Sequence, residues 1–158
     1  MLSKISMLRW GIIAVVILLI DQASKWLVLR HLDLEEAVQV MPGFNLQLAF
    51  NKGAAFGFLS QHSGWQRFLF VGLAIFVSIS ILVWLYRLNQ KQFLDGLALS
   101  VILGGALGNL LDRIRFGQVI DFIDIYYQNW HWYTFNIADI AICIGAAILM
   151  LTLFVKGN

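Results

Sequence analysis

Apolar residues dominate this chain in four stretches, and polar residues fall between them in short clusters. A helix that crosses the hydrocarbon core of a bilayer needs ~20 predominantly apolar residues. Four windows meet that length: residues 9–29, 66–86, 94–111 and 137–155. No proline interrupts them. The pattern predicts an all-α polytopic membrane protein, a single membrane domain over residues 1–158 with four transmembrane helices. The short link from Arg87 to Gln92 makes a hairpin of spans two and three. The other two links, residues 31–64 and 112–136, are long. An even number of spans puts both termini on one side and both long loops on the other.

The first long loop changes period. Phe44, Leu46, Leu48 and Phe50 alternate with Asn45, Gln47, Ala49 and Asn51, which predicts a half-buried strand. Pro42-Gly43 supplies a turn before it. A small extracytoplasmic β-sheet beside the membrane is expected. The second long loop carries Tyr126, Tyr127, Trp130, Trp132 and Tyr133, residues suited to a membrane–water interface. In span three, Gly104, Gly105 and Gly108 allow close helix packing.

Composition supports the membrane reading and removes other classes. The 158 residues are 60% hydrophobic and 13% charged, against about half and one-quarter in soluble domains. A net charge of +2 with no basic stripe excludes nucleic acid as the expected partner. The lone Cys143 allows no disulfide within one chain, and it is expected as a small buried hydrophobe. Lys4 and Arg9 ahead of an apolar run imitate a signal peptide, but Asp21-Gln22 follows where a small-residue cleavage site would stand. An uncleaved first span is expected. Basic residues divide evenly between the two sides. The N-terminal charges and the short Arg87–Lys91 loop favour cytoplasmic termini.

The polar clusters carry the candidate chemistry. Asp21 and Lys25 share a helix face at i, i+4, as a neutralising pair or as part of a site. Asn51 and Gly53 end the strand, and Gly53-Ala54-Ala55 permits close approach of a backbone or ligand. Asn109, Asp112 and Arg113 close span three, where Arg113 can pair bidentately with a carboxylate. Asn136 and Asp139 open span four, where an Asn cap and a first-turn acid are structurally favourable in themselves. Asp121 and Asp124 lie in the loop before it. An ionisable residue in a membrane span marks a functional site by default. Two carboxylates in one site cannot both ionise easily, so a pair would share a proton and activate water. Asp139 is one member of such a pair, and either Asp121 or Asp124 can be the other. Three His without HExxH spacing and one Cys give no expected metal site and no cofactor. A small proton-coupled membrane transporter and a non-catalytic lipid-binding scaffold remain as alternatives.

The clusters Asp21-x-x-x-Lys25, Asn51-x-Gly-Ala-Ala-Phe-Gly57, Gly108-Asn-x-x-Asp-Arg113, Val119-x-Asp-Phe122 and Phe135-Asn-x-Ala-Asp139 stand in the order seen in bacterial lipoprotein signal peptidases, the type II signal peptidases. The chain resembles that family over nearly its whole length. The resemblance implies an aspartyl endopeptidase of the bacterial inner membrane, active near its outer face. Its substrates would be lipid-modified prolipoproteins, cut immediately before the diacylglyceryl-modified Cys. Asp121 and Asp139 match the catalytic pair. Asn51, Asn109, Arg113 and Asn136 match residues that line the site. Asp21, Lys25 and Asp112 match supporting positions. Membrane lipids are expected around a monomer.

Overall fold

A computed structural model describes residues 4–34, 36–53, 64–89 and 91–156. Four helices dominate it: α1 (Lys4–His31), α2 (Trp65–Arg87), α3 (Phe93–Phe116) and α4 (Ile137–Lys156). All four are long and apolar enough to cross a membrane. Four strands, β1 (Ala37–Met41), β2 (Phe44–Asn51), β3 (Val119–Tyr127) and β4 (Trp130–His131), form one sheet in the order β1-β2-β3-β4, each pair antiparallel. The fold is the expected one: four membrane helices and a small sheet.

Helix α3 is the spine of the bundle and packs on α1, α2 and α4. Its glycines explain how. A Cβ on Gly104 would stand 2.6 Å from the Ala14 carbonyl oxygen of α1, and one on Gly105 would stand 2.5 Å from the Ala138 carbonyl oxygen of α4. The helices therefore touch backbone to backbone, the contact that small residues permit in lipid. Trp10, Ala14, Ile81, Leu85, Leu99 and Leu103 fill the end of the bundle away from the sheet. At the other end, Leu48, Ile120, Phe122 and Ile123 of the sheet pack with Val28 of α1 and with Ile137 and Ile140 of α4.

The second long loop differs from expectation. Helix α3 continues past residue 111 to Phe116, so Asp112, Arg113 and Arg115 are helical. It stops at Gly117, whose φ of 73° and N–H bond to the Arg113 carbonyl form a left-handed C-cap. Strand β3 begins two residues later. Its run Val119–Asp124 is buried throughout, so it lacks the alternation that exposed β2 in the sequence. The five aromatics expected at an interface lie on the β3–β4 hairpin and just beyond it. Tyr127, Trp130, Trp132 and Tyr133 are exposed. Cys143 corrects an expectation too. It is exposed on α4, because Ala138, Ala141 and Gly145 take the face turned to α3.

Gly105→Ala is expected to lower the thermal unfolding midpoint of the detergent-purified protein, because overpacking costs about 1–3 kcal/mol. Gly72→Ala, at a position with nothing within 4 Å of the added carbon, is the control and should leave the midpoint unchanged or higher.

Candidate active site

The site forms where the C-terminal ends of α1 and α3 meet the start of α4 and the near end of the sheet. Its centre is Lys25, whose side chain is 2% exposed. The ammonium stands 2.9 Å from Asp21, 2.7 Å from Asp112 and 3.1 Å from the Asn109 side-chain oxygen. All three of its donors are used. Both carboxylates are fully buried. One cation cannot balance two buried anions, and the remaining donors come from neutral groups. Gln22 donates to Asp112 at 2.9 Å and to Asp21 at 3.2 Å. Asp21 accepts the Ala138 backbone N–H at 2.9 Å, and Asp112 accepts that of Ile120 at 3.3 Å.

Those last two bonds matter most for the site. Ala138 precedes Asp139, and Ile120 precedes Asp121. The buried ion cluster therefore grips the backbone beside each of the two acids. Gly108 makes the cluster possible, because a Cβ there would strike the Asp21 carboxylate.

Asn136 joins the two acids. Its side-chain nitrogen donates to Asp121 at 2.7 Å and lies within 3.1 Å of the Asn109 oxygen. Its own oxygen accepts the Asp139 N–H at 3.0 Å, while Asp139 accepts the Asn136 N–H at 3.2 Å. This reciprocal pair is a capping box with Asp at its third position, and it starts α4. Asn109 donates to the other Asp139 oxygen at 2.8 Å, and Asn51 donates to Asp121 at 3.1 Å. The capping role expected of Asn136 is present and is not separable from the site.

Asp121 is 2% exposed. Burial pushes its carboxyl up to about 7, and the nearby Asp139 charge adds to the rise. Hydrogen bonds from Asn51 and Asn136 and the charge of Lys25 act in the opposite direction. Such a group exchanges a proton near neutral pH, as a general acid or base must.

Asp124 is not part of this arrangement. It sits three residues along β3 and bonds to Asn45 and His131 instead. Of the two acids left open by the sequence, Asp121 is the one that shares partners with Asp139.

Arg113 departs from the bidentate pairing its chemistry allows. Its guanidinium donates to the carbonyl oxygens of Gly53 at 3.0 Å and Asn109 at 3.4 Å, and lies 5.3 Å from the centre of the Phe70 ring. It thus ties the end of β2 to α3. Gly53 also donates its N–H to Asn51 at 2.9 Å. Ala54 and Ala55, expected to permit close approach, lie outside the described residues. Gln22 was not visible as a site residue. Its only signal was a second polar residue, after Asp21, in an apolar run.

Among the described residues no group of three or more His, Cys, Asp or Glu is arranged to hold a metal ion. The buried charged side chains gather at the sheet end, except Asp95 near the start of α3.

The family model described as Signal peptidase (SPase) II matches residues 13–155. A lipoprotein signal peptidase of Polynucleobacter necessarius is 51% identical over 94% of this chain and 91% of its own length. One from Photorhabdus laumondii is 50% identical over 96% and 90%. A solved bacterial membrane enzyme superposes with a TM-score of 0.86 at 28% identity, over 95% of this chain and 90% of that one. A second gives 0.80 at 29% identity, over 92% of each chain.

Lys25→Met removes the cation and leaves two buried carboxylates without it. Breaking a buried ion pair costs about 3–5 kcal/mol. A large drop in the thermal unfolding midpoint in detergent is expected, partly recovered when Asp112→Asn is added. Equal midpoints for wild type and Lys25→Met would contradict this account.

Proposed function

The chain belongs to the signal peptidase II family, and on that premise we propose that it removes the signal peptide of diacylglyceryl-modified prolipoproteins, with Asp121 and Asp139 as the catalytic dyad. The observation that carries the dyad is the Asn136 bridge, which bonds to both acids at once. A pair of acids in one buried site holds a single proton. Asp121, with its carboxyl pushed up to about 7, is the member suited to hold it.

The reaction then balances without a metal. Asp139 takes a proton from water as the oxygen attacks the carbonyl carbon before the lipidated Cys. Protonated Asp121 donates to the carbonyl oxygen as it gains charge. Collapse of the tetrahedral intermediate breaks the C–N bond as Asp139 gives its proton to the leaving amine of the Cys, and a hydroxyl proton of the intermediate returns to Asp121 as the C=O bond re-forms. Asn51, Asn109 and Asn136 keep the two carboxylates oriented through this exchange. Arg113 and Gly53 form the edge of the site where β2 ends, and the bonds Arg113 makes to backbone carbonyls there are of the kind that hold a peptide.

The substrate explains the level of the site. A diacylglyceryl group anchors the Cys at the membrane surface, so the scissile bond lies at the ends of the spans. The buried polar cluster lies at the sheet end of the bundle, which supports a site at that level. In this reading the protein sits in the bacterial inner membrane with cytoplasmic termini, and the sheet and dyad stand near the outer face. Both acids and all the bonding partners named for them come from one chain, which fits a monomer in lipid.

Incubation of the purified protein with a diacylglyceryl-modified prolipoprotein and with its unlipidated form tests the reading. Cleavage of the lipidated form alone is expected. Asp121→Asn and Asp139→Asn should each abolish it, while Asp124→Asn keeps substantial activity. A dead Asp124→Asn beside a live Asp121→Asn would overturn the dyad. The pH profile gives a separate check. Asp121 holds its proton below about 7 and loses it as pH rises, so kcat should fall on the alkaline side with an apparent pKa near 7. A rate that stays constant well into the alkaline range would remove Asp121 as the proton holder.

A further inference from the structure

A second buried acid lies in the sheet, outside the dyad network. Asp124 is 1% exposed. Asn45, directly opposite on β2, donates to it at 2.9 Å. His131 of β4 brings its Nδ1 to 2.9 Å from both carboxylate oxygens. The imidazole is half exposed and stacks on Tyr126, with ring centres 5.2 Å apart and planes 19° apart. One carboxylate thus joins three strands.

The carboxylate adds a side-chain fastening to the backbone bonds of the return segment. The β3–β4 ladder proper has two residue pairs, Tyr126–His131 and Tyr127–Trp130. The run Val119–Asp124 is buried throughout, so apolar alternation cannot specify its register. A buried polar residue can, because a slip strands its charge away from its partners.

The register matters because β4 leads into the dyad. The chain returns along β3 from Trp130 to Asn136. Trp132 donates its N–H to the Ile125 carbonyl at 2.8 Å, and Phe135 donates to that of Ile123 at 3.1 Å. The Phe135 carbonyl accepts from Phe122 at 3.0 Å and from Ile123 at 2.8 Å. The next residue is Asn136, which holds both acids of the dyad. A slip of one residue moves a strand by about 3.3 Å, enough to take Asn136 away from Asp121.

We propose that Asp124 and His131, with Asn45, form a register clamp on the return segment 130–136 and so act as positioning residues for the dyad. The proposal rests on the peptidase reading for its kinetic consequence and on the sheet geometry for its structural one. Misplacing catalytic groups by ~1 Å costs up to about 100-fold in rate. Partial loosening of the clamp by His131→Ala should lower kcat about tenfold and leave KM within about twofold. His131→Asn places an amide nitrogen where Nδ1 stood and should recover most of the loss. His131→Gln, whose amide nitrogen reaches past that point, should not. Asp124→Asn keeps one oxygen that can accept from His131, so it should retain substantial activity.

Steady-state cleavage of a diacylglyceryl-modified prolipoprotein by these variants is the test. Unchanged kcat in His131→Ala, or His131→Gln equal to His131→Asn, would overturn the clamp. Amide hydrogen exchange over residues 122–136 reads it without cleavage. Exchange at Ile123 and Phe135 should speed up in His131→Ala and His131→Gln and stay near wild type in His131→Asn. Unchanged exchange in all three variants would overturn it as well. A wild type that cleaves nothing would count against the peptidase reading alone, because the exchange experiment still decides the clamp.

Discussion

The Lys25 ammonium, buried between Asp21 and Asp112, is the interaction on which the site depends. Charges at the level of a membrane helix are tolerated only when they are satisfied inside the protein. Here that requirement also fixes geometry. Each carboxylate commits one oxygen to Lys25 and also accepts a backbone amide next to Asp121 or Asp139. The ion cluster is thereby tied to β3 at Ile120 and to the start of α4 at Ala138. Ion pairing contributes little as a source of stability when its desolvation is counted. Its value in this protein is positional.

Asp121 and Asp139 are carried by different elements. Asp139 lies in the first turn of α4 and is bonded within a capping box. Asp121 projects from a strand segment buried throughout, and its carboxyl is raised chiefly by that burial. Exclusion of water disfavours charge on Asp121.

Much of this was legible in the sequence, for identifiable reasons. The four spans and the strand at Phe44–Asn51 were visible because each presents a regular pattern, a long apolar run or a period of two. The polar site residues stood out because polar groups are scarce in apolar surroundings. Strand β3 was not visible as a strand, since a segment buried on both faces has no alternation to read. Gln22, Asn45 and His131 were missed as partners because their roles arise from neighbours brought together only by the fold. The outward face of Cys143 depended on which side of α4 its small residues give to α3.

Gly108 carries a consequence for how this sequence can change over generations. Its absent side chain is the space that the Asp21 carboxylate occupies. A methyl group at 108 would force that carboxylate to shift, which disturbs its bonds to the Ala138 amide and to Lys25. Restoring the cluster would then require further changes on α1 and α3. Positions 21, 25, 108 and 112 therefore form one inherited unit, whose members cannot drift singly although they lie on two different helices.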